Sequence, residues 1–163
     1  MIKKTLGIAA CIAVASLALA QGEAEVRQQL ATDRATIQAD RQAIVAEALP
    51  LTEEQAKAFW PLFREYRTEM EKLGDRVMDL MIDYGKSMDT LTDEKAAALL
   101  DDYLGIQRDE VKVKQSWLPK FRKILPAKTV TRFYQIEGKL DTLLRFEAAA
   151  QIPLVEDLNV KKE

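Results

Sequence analysis

The amphipathic stretch from Leu51 to Leu91 constrains the fold of this chain more than any other feature. Its apolar side chains recur at alternating steps of three and four residues, which places them on one face of an α-helix. The opposite face carries charges of both signs, as a solvated helix surface does. A helix from Glu53 to Met88 would be about 54 Å long at ~1.5 Å per residue, so we expect an elongated molecule. Other segments must cover the apolar face, which comprises Phe59, Phe63, Tyr66, Met70, Leu73, Val77, Leu80, Met81, Tyr84 and Met88.

The rest of the sequence predicts three more helices and no strand. The first runs from Glu23 to Ala48 and ends at a Leu-Pro step, because the residue before a proline disfavours the α conformation. The third begins after the N-cap residue Thr92, and the fourth opens with Pro126 in its first turn. Pro61 and Pro119 lie inside the two long helices and predict a bend in both. The expected fold is all-α: an elongated antiparallel helical hairpin of four helices, two of them long and kinked by proline.

The N-terminal segment 1–20 has the pattern of an export signal. Two lysines precede an apolar run, and a small-x-small motif ends at Ala20, which predicts cleavage after that residue. A lipoprotein signal is the alternative, because Ile8-Ala9-Ala10-Cys11 fits a lipobox and would place a lipid on Cys11. The apolar run continues well past the cysteine, which favours ordinary export. We therefore expect a periplasmic protein.

Processing would leave a single α-helical domain from 21 to 155 and a charged tail from 156 to 163. It would also remove Cys11, the only cysteine, and the chain contains no histidine. A mature chain without either residue excludes disulfides, soft-metal sites and histidine-based acid–base or triad chemistry. We expect no enzymatic activity, no cofactor and no bound metal.

The charge distribution is uneven along the chain. The segment from Glu47 to Asp102 carries 14 acidic and 7 basic residues, whereas the segment from Arg108 to Arg132 carries 8 basic and 2 acidic residues. Aromatic side chains are interleaved with the basic ones, which indicates either a solvated face or a surface for unfolded or acidic chains, with weak contact to anionic lipid as a further interpretation. Predicted export and an acidic pI of 5.4 argue against nucleic acid. The candidate binding residues are Trp117, Lys120, Phe121, Arg122, Lys123 and Phe133.

Three arginines, Arg27, Arg34 and Arg41, recur at a seven-residue spacing in the first predicted helix. A set of apolar residues recurs with the same seven-residue period, three positions after each arginine. The arginines and the apolar residues therefore form two separate stripes on the helix. The pattern fits a packing helix with a solvated arginine edge. It also fits a docking edge for a second subunit or an acidic partner.

The pentapeptide LTEEQ at 51–55 supplies the clearest motif. Thr52 is a good N-cap, and Gln55 stands where its side chain completes a capping box, with Leu51 preceding the cap. With the export signal and the helical plan, this motif resembles the Spy/CpxP-type periplasmic proteins, the LTxxQ family. A second LTxxQ copy, expected before the last helix, is replaced here by Leu125-Pro126-Ala127-Lys128-Thr129.

The resemblance implies a helical homodimer that acts as an ATP-independent chaperone or an envelope-stress regulator, with Leu51, Thr52 and Gln55 positioning the hairpin. The absence of histidine argues against metal sensing, which related proteins perform with that residue. The function we expect is chaperone-like binding of unfolded or aggregation-prone envelope proteins. The alternative is an envelope-stress sensor or regulatory subunit that docks on one specific protein partner.

Overall fold

The computed structural model describes residues 32, 36, 39–149 and 152–155, without the side chains of residues 147 and 148. Within these residues all regular structure is helical and no strand occurs, which confirms the predicted all-α class. The predicted signal 1–20, the tail 156–163 and the arginines at 27 and 34 lie outside the described residues. The helices are α1 (described over residues 39–48), α2 (Glu53–Ser87), α3 (Asp93–Ile124) and α4 (Ala127–Ala149).

Proline and threonine fix the ends of the helices much as the sequence predicts. Helix α1 stops before Pro50, and the last hydrogen bond of its final turn runs from the Leu49 N–H to the Val45 carbonyl oxygen at 2.9 Å. Thr92 caps α3 by accepting a hydrogen bond from the Lys95 N–H at 3.2 Å. Pro126 lies one position before α4 rather than within its first turn, and its carbonyl oxygen accepts the Val130 N–H at 3.0 Å.

Both long helices continue through residues that weaken helices. Pro61 lies inside α2 and Pro119 inside α3. Each proline removes one backbone donor, and burial of the adjacent aromatic side chains holds the helix together around it. Helix α2 then runs on to Ser87, one residue short of the predicted end, and a short 3₁₀ turn at Met88–Thr90 leads into α3.

Residues with increasing numbers on α2 contact residues with decreasing numbers on α3. Next to the connecting turn, Lys95 Nζ lies 2.6 Å from an Asp83 carboxylate oxygen. Further along, the Trp117 indole N–H donates to Glu69 Oε2 at 2.6 Å, and the rings of Phe59 and Phe121 lie 5.8 Å apart. The order of these contacts places the connecting turn at one end of α2 and the junction of α3 with α4 at the other.

The core occupies only the end of the molecule where all four helices meet. Aromatic rings dominate it: the Phe121 and Phe133 centroids lie 4.8 Å apart, and Phe59 meets Phe133 edge-on at 5.2 Å. Toward the connecting turn, the buried residues among those described are Leu99 and Ile106. The predicted apolar face of α2 is therefore buried from Phe59 to Met70, and it is half-buried or exposed from Leu73 to Met88. The core residues are Val45, Leu49, Phe59, Phe63, Tyr66, Met70, Trp117, Phe121, Leu125, Val130 and Phe133.

Candidate functional site

The LTEEQ motif acts as a helix start. The Gln55 N–H donates to Thr52 Oγ1 at 3.2 Å, and the Thr52 N–H donates to Gln55 Oε1 at 3.1 Å, which completes the two bonds of a capping box. Leu51 is half-buried against the core. These bonds and this packing give the three motif residues a structural role at the beginning of α2.

The aromatic residues of the expected binding surface are not at the surface. Trp117 is 2% exposed, and Phe121 and Phe133 are fully buried. The sequence interpretation placed them on a cationic, aromatic-lined face, and their burial contradicts it. The reason is that α1, α2 and α4 all converge on this part of α3, so its apolar face meets three helices instead of solvent.

The cations of the same surface do reach solvent. Lys120 lies over the Trp117 ring, with its Nζ 3.4 Å from the ring centroid, while Arg122 and Lys123 are exposed beside it. Lys128 and Arg132, at the start of α4, are also exposed. The structure thus separates the predicted surface into a buried aromatic layer and an exposed cationic layer.

Arg41 is not part of an open docking edge. It is 4% exposed, and its guanidinium contacts Glu137 at 3.1 Å and Asp141 at 2.9 Å. Glu137 is 1% exposed and also accepts a hydrogen bond from the Arg67 guanidinium at 3.1 Å. Because Arg41 is buried in contacts within the chain, the docking role predicted for this residue is wrong.

These contacts belong to a longer chain of alternating charges that links all four helices. Lys114 on α3 lies 2.8 Å from Asp141 and 2.5 Å from Glu110, and Glu110 also pairs with Arg145 on α4. The residues of this charge chain form no distinguishing pattern in the sequence. Its order is Arg67, Glu137, Arg41, Asp141, Lys114, Glu110 and Arg145.

The charge chain shifts the pKa values of its members. Burial alone would raise the pKa of the Asp141 carboxyl, but the hydrogen bond from Lys114 and the charge of Arg41 outweigh it and hold that pKa below its usual value. Burial would lower the pKa of Arg41, yet Glu137 and Asp141 together raise it. Both groups are therefore ionised at neutral pH, and we assign the chain to stabilising the helix arrangement.

A second apolar stripe on α3 is exposed to solvent. Leu100 is 56% exposed, Leu104 47% and Val111 53%. Steps of four and seven residues place all three on one side of the helix, roughly a quarter turn or more from the buried Leu99 and Ile106. Tyr103 lies between the two sets and is 49% exposed. The spacing was visible in the sequence, but it did not indicate which of two neighbouring stripes would be covered.

A shallow groove of about 350 Å³ lies between α2 and α3 near the connecting turn. Its polar groups are mostly carboxylates, and the ion pairs at the groove include Arg76 with Asp109 and Asp83 with Lys95. In the described part of the chain, no group of three or more acidic side chains could hold a metal ion. We assign no chemistry to the groove, which is lined by Arg76, Asp79, Leu80, Asp83, Asp102 and Ile106.

No helix among the described residues combines the length and apolar character needed to cross a lipid bilayer. In comparisons with known proteins, no family model, no curated protein and no solved structure matches this chain.

Proposed function

We propose that this is an exported, non-enzymatic helical protein that binds exposed apolar segments of other envelope proteins without ATP. The observation that carries the proposal is the solvent-exposed stripe of Leu100, Leu104 and Val111 on α3. Exposed apolar side chains gathered on one side of a helix are typical of protein interaction sites. The signal pattern at 1–20 supports export, and the resemblance of LTEEQ to the LTxxQ family supports a chaperone-like role.

We further propose the molecular shape that this role requires. The order of contacts between α2 and α3 supports an elongated antiparallel hairpin, and Pro61 and Pro119 near the packed end support a shared bend. Such a hairpin holds the stripe of α3 away from the four-helix core, where the stripe stays accessible to a client. Association into a homodimer, which the family resemblance implies, would shield part of it, and sedimentation measures that state.

An aggregation assay tests the proposal. The protein at equimolar ratio is expected to suppress the aggregation of several unrelated unfolded clients, and the variant Leu100→Ser/Leu104→Ser is expected to lose most of that effect. The matched control is Val77→Ser/Leu143→Ser, which changes two exposed apolar residues on other helices and should retain it. Wild-type protein that suppresses none of the clients would rule out the chaperone function.

The alternative is a regulatory subunit that docks on a single partner. Photo-crosslinking in cells from position 104 distinguishes the two functions, because a chaperone captures many envelope proteins and a regulatory subunit captures one. Burial of Arg41 weakens the alternative, since it removes one of the three arginines on which the docking edge was based.

A further inference from the structure

The junction of α3 with α4 carries an exposed cluster of positive charge, which we call the cationic corner. It comprises Lys120, Arg122, Lys123, Lys128 and Arg132, all exposed. No acidic residue occurs between Gln115 and Ile136, so nothing in the local sequence neutralises these charges. None of the five takes part in an ion pair within the described part of the chain.

Other cations of the protein are used differently. Those of the charge chain and those between α2 and α3, such as Arg76 and Lys95, face carboxylates within 4 Å. At the corner, Lys120 instead covers the Trp117 ring, and Arg132 donates through Nε to the Ala48 carbonyl oxygen at 2.7 Å. These contacts hold side chains in place and leave their charge unneutralised.

The corner is also rigid. Phe121, Leu125 and Val130 are buried directly between the exposed cations, so the backbone that carries the charges is fixed to the aromatic core. With Trp117, Phe121 and Phe133 buried, the corner offers several positive charges on a fixed backbone and no aromatic pocket beside them. It suits a partner that presents many negative charges on an extended surface.

The opposite end of the molecule has the opposite charge. The segment from Asp75 to Asp102, around the connecting turn, carries 8 acidic and 3 basic residues. About 36 Å of helix, at ~1.5 Å per residue, separates Phe59 beside the corner from Asp83 beside the turn. A negatively charged surface would therefore attract one end and repel the other, which fixes the orientation of the molecule.

We propose that the cationic corner docks the protein end-on to an anionic phospholipid surface, with the connecting turn directed away from the lipid. The interaction is electrostatic and reversible, because Trp117, Phe121 and Phe133 are buried and unavailable for insertion. In this orientation the apolar stripe of α3 faces the aqueous phase. The inference does not depend on client binding, since it concerns a separate surface and no client takes part in its test.

Vesicle co-sedimentation tests this docking with the full chain. Wild-type protein is expected to bind phosphatidylglycerol vesicles at low salt, to lose binding at high salt and to ignore phosphatidylcholine vesicles. The variant Arg122→Gln/Lys123→Gln/Lys128→Gln is expected to bind about a hundredfold more weakly, at roughly fivefold for each cation lost. The charge-conserving variant Arg122→Lys/Lys123→Arg/Lys128→Arg should bind as the wild type does.

The matched control is Lys72→Gln/Arg108→Gln/Lys139→Gln, which removes three exposed cations elsewhere and leaves the same net charge. All variants share the same N-terminal segment, so its own affinity for lipid cancels in the comparison. Absence of binding to anionic vesicles, or an equal loss in the corner and control variants, would overturn the proposal. Tighter binding to polyglutamate than to the vesicles would also overturn it and assign the corner to acidic polypeptides.

The orientation has a test of its own. In a Cys11→Ser background, a fluorophore at Ala127→Cys is expected to be quenched by lipid-bound quencher, whereas one at Thr90→Cys stays unquenched. Both positions are exposed, and they lie at opposite ends of α3. Equal quenching at the two positions would contradict end-on docking.

Discussion

The Arg41 guanidinium lies 3.1 Å from the Glu137 carboxylate, and the two side chains are 4% and 1% exposed. A second arginine, Arg67, contacts the same carboxylate from α2. Each charge would be costly to bury alone, so the ionised residues depend on one another. The contact joins α1, α2 and α4 at one point beside the aromatic core.

Removal of the Glu137 charge should strongly destabilise the protein. The variant Glu137→Gln leaves the buried Arg41 and the half-buried Arg67 without their shared counter-charge, and we expect the free energy of unfolding to fall by about 3–5 kcal/mol. Urea denaturation followed by circular dichroism measures the change. The control Glu65→Gln alters an exposed glutamate on α2 and should have little effect. Similar losses in the two variants would contradict a special role for the buried carboxylate.

Stability should decrease in acid through Asp141. Lys114 and Arg41 keep the pKa of this carboxyl below its usual value despite burial, so its ionised form favours the folded state. The stabilisation is complete above the unfolded pKa of about 4 and is lost as the pH falls through the lower folded pKa. Denaturation midpoints measured from pH 6 to pH 2 should show this decline. In Asp141→Asn the stability at neutral pH should be lower and the decline shallower; an unchanged pH profile would refute the assignment.

Removal of the hydroxyl group should change the stability of the protein in opposite directions at two tyrosines. The Tyr66 hydroxyl is buried and has no hydrogen-bond partner among the described residues, and burial together with the Glu137 charge raises its pKa far above the usual range. We expect Tyr66→Phe to stabilise the protein by about 1 kcal/mol, because it removes an unsatisfied polar group.

Tyr134 provides the matched comparison. Its hydroxyl donates to the Lys114 carbonyl oxygen at 2.8 Å, and burial raises its pKa to about 12. Tyr134→Phe should therefore destabilise the protein by about 1 kcal/mol. Thermal denaturation of the two variants checks the contrast, and a loss of stability in both would show that the Tyr66 hydroxyl does have a favourable contact.

The LTEEQ motif should affect stability and not client binding. Thr52→Ala removes the oxygen that accepts the Gln55 N–H, and we expect a loss of about 1 kcal/mol in the free energy of unfolding. Thr52→Ser keeps an acceptor at the same position and should retain most of the stability. Aggregation assays on the folded variants should show unchanged client protection; a selective loss in Thr52→Ala would indicate that the motif contacts clients.

The helices of this protein could be predicted because their signals are local. Thr52 and Thr92 are followed by helices that begin at the next residue, and Pro50 and Pro126 border the breaks. Capping bonds and proline sterics act within four residues, so all the residues that take part are close neighbours in the sequence.

The candidate surfaces could not be predicted in the same way. Phe121 and Leu104 both belong to apolar stripes of α3, yet the first is fully buried and the second is 47% exposed. A periodic pattern defines a face of a helix but does not specify whether another helix packs against it. Among the described residues, α1, α2 and α4 cover the end of α3, whereas α2 is the helix that packs beside its beginning, so the exposed stripe had no distinguishing signal.

The sequence by itself determined the all-α class, the positions of the helix ends and the segregation of acidic and basic residues along the chain. The tertiary structure decided which of those residues are used internally, as in the pairing of Arg41 with Glu137 and the burial of Trp117. The physical reason is range: caps and proline breaks join neighbours in the chain, whereas burial and ion pairing join residues that become close only when the helices pack.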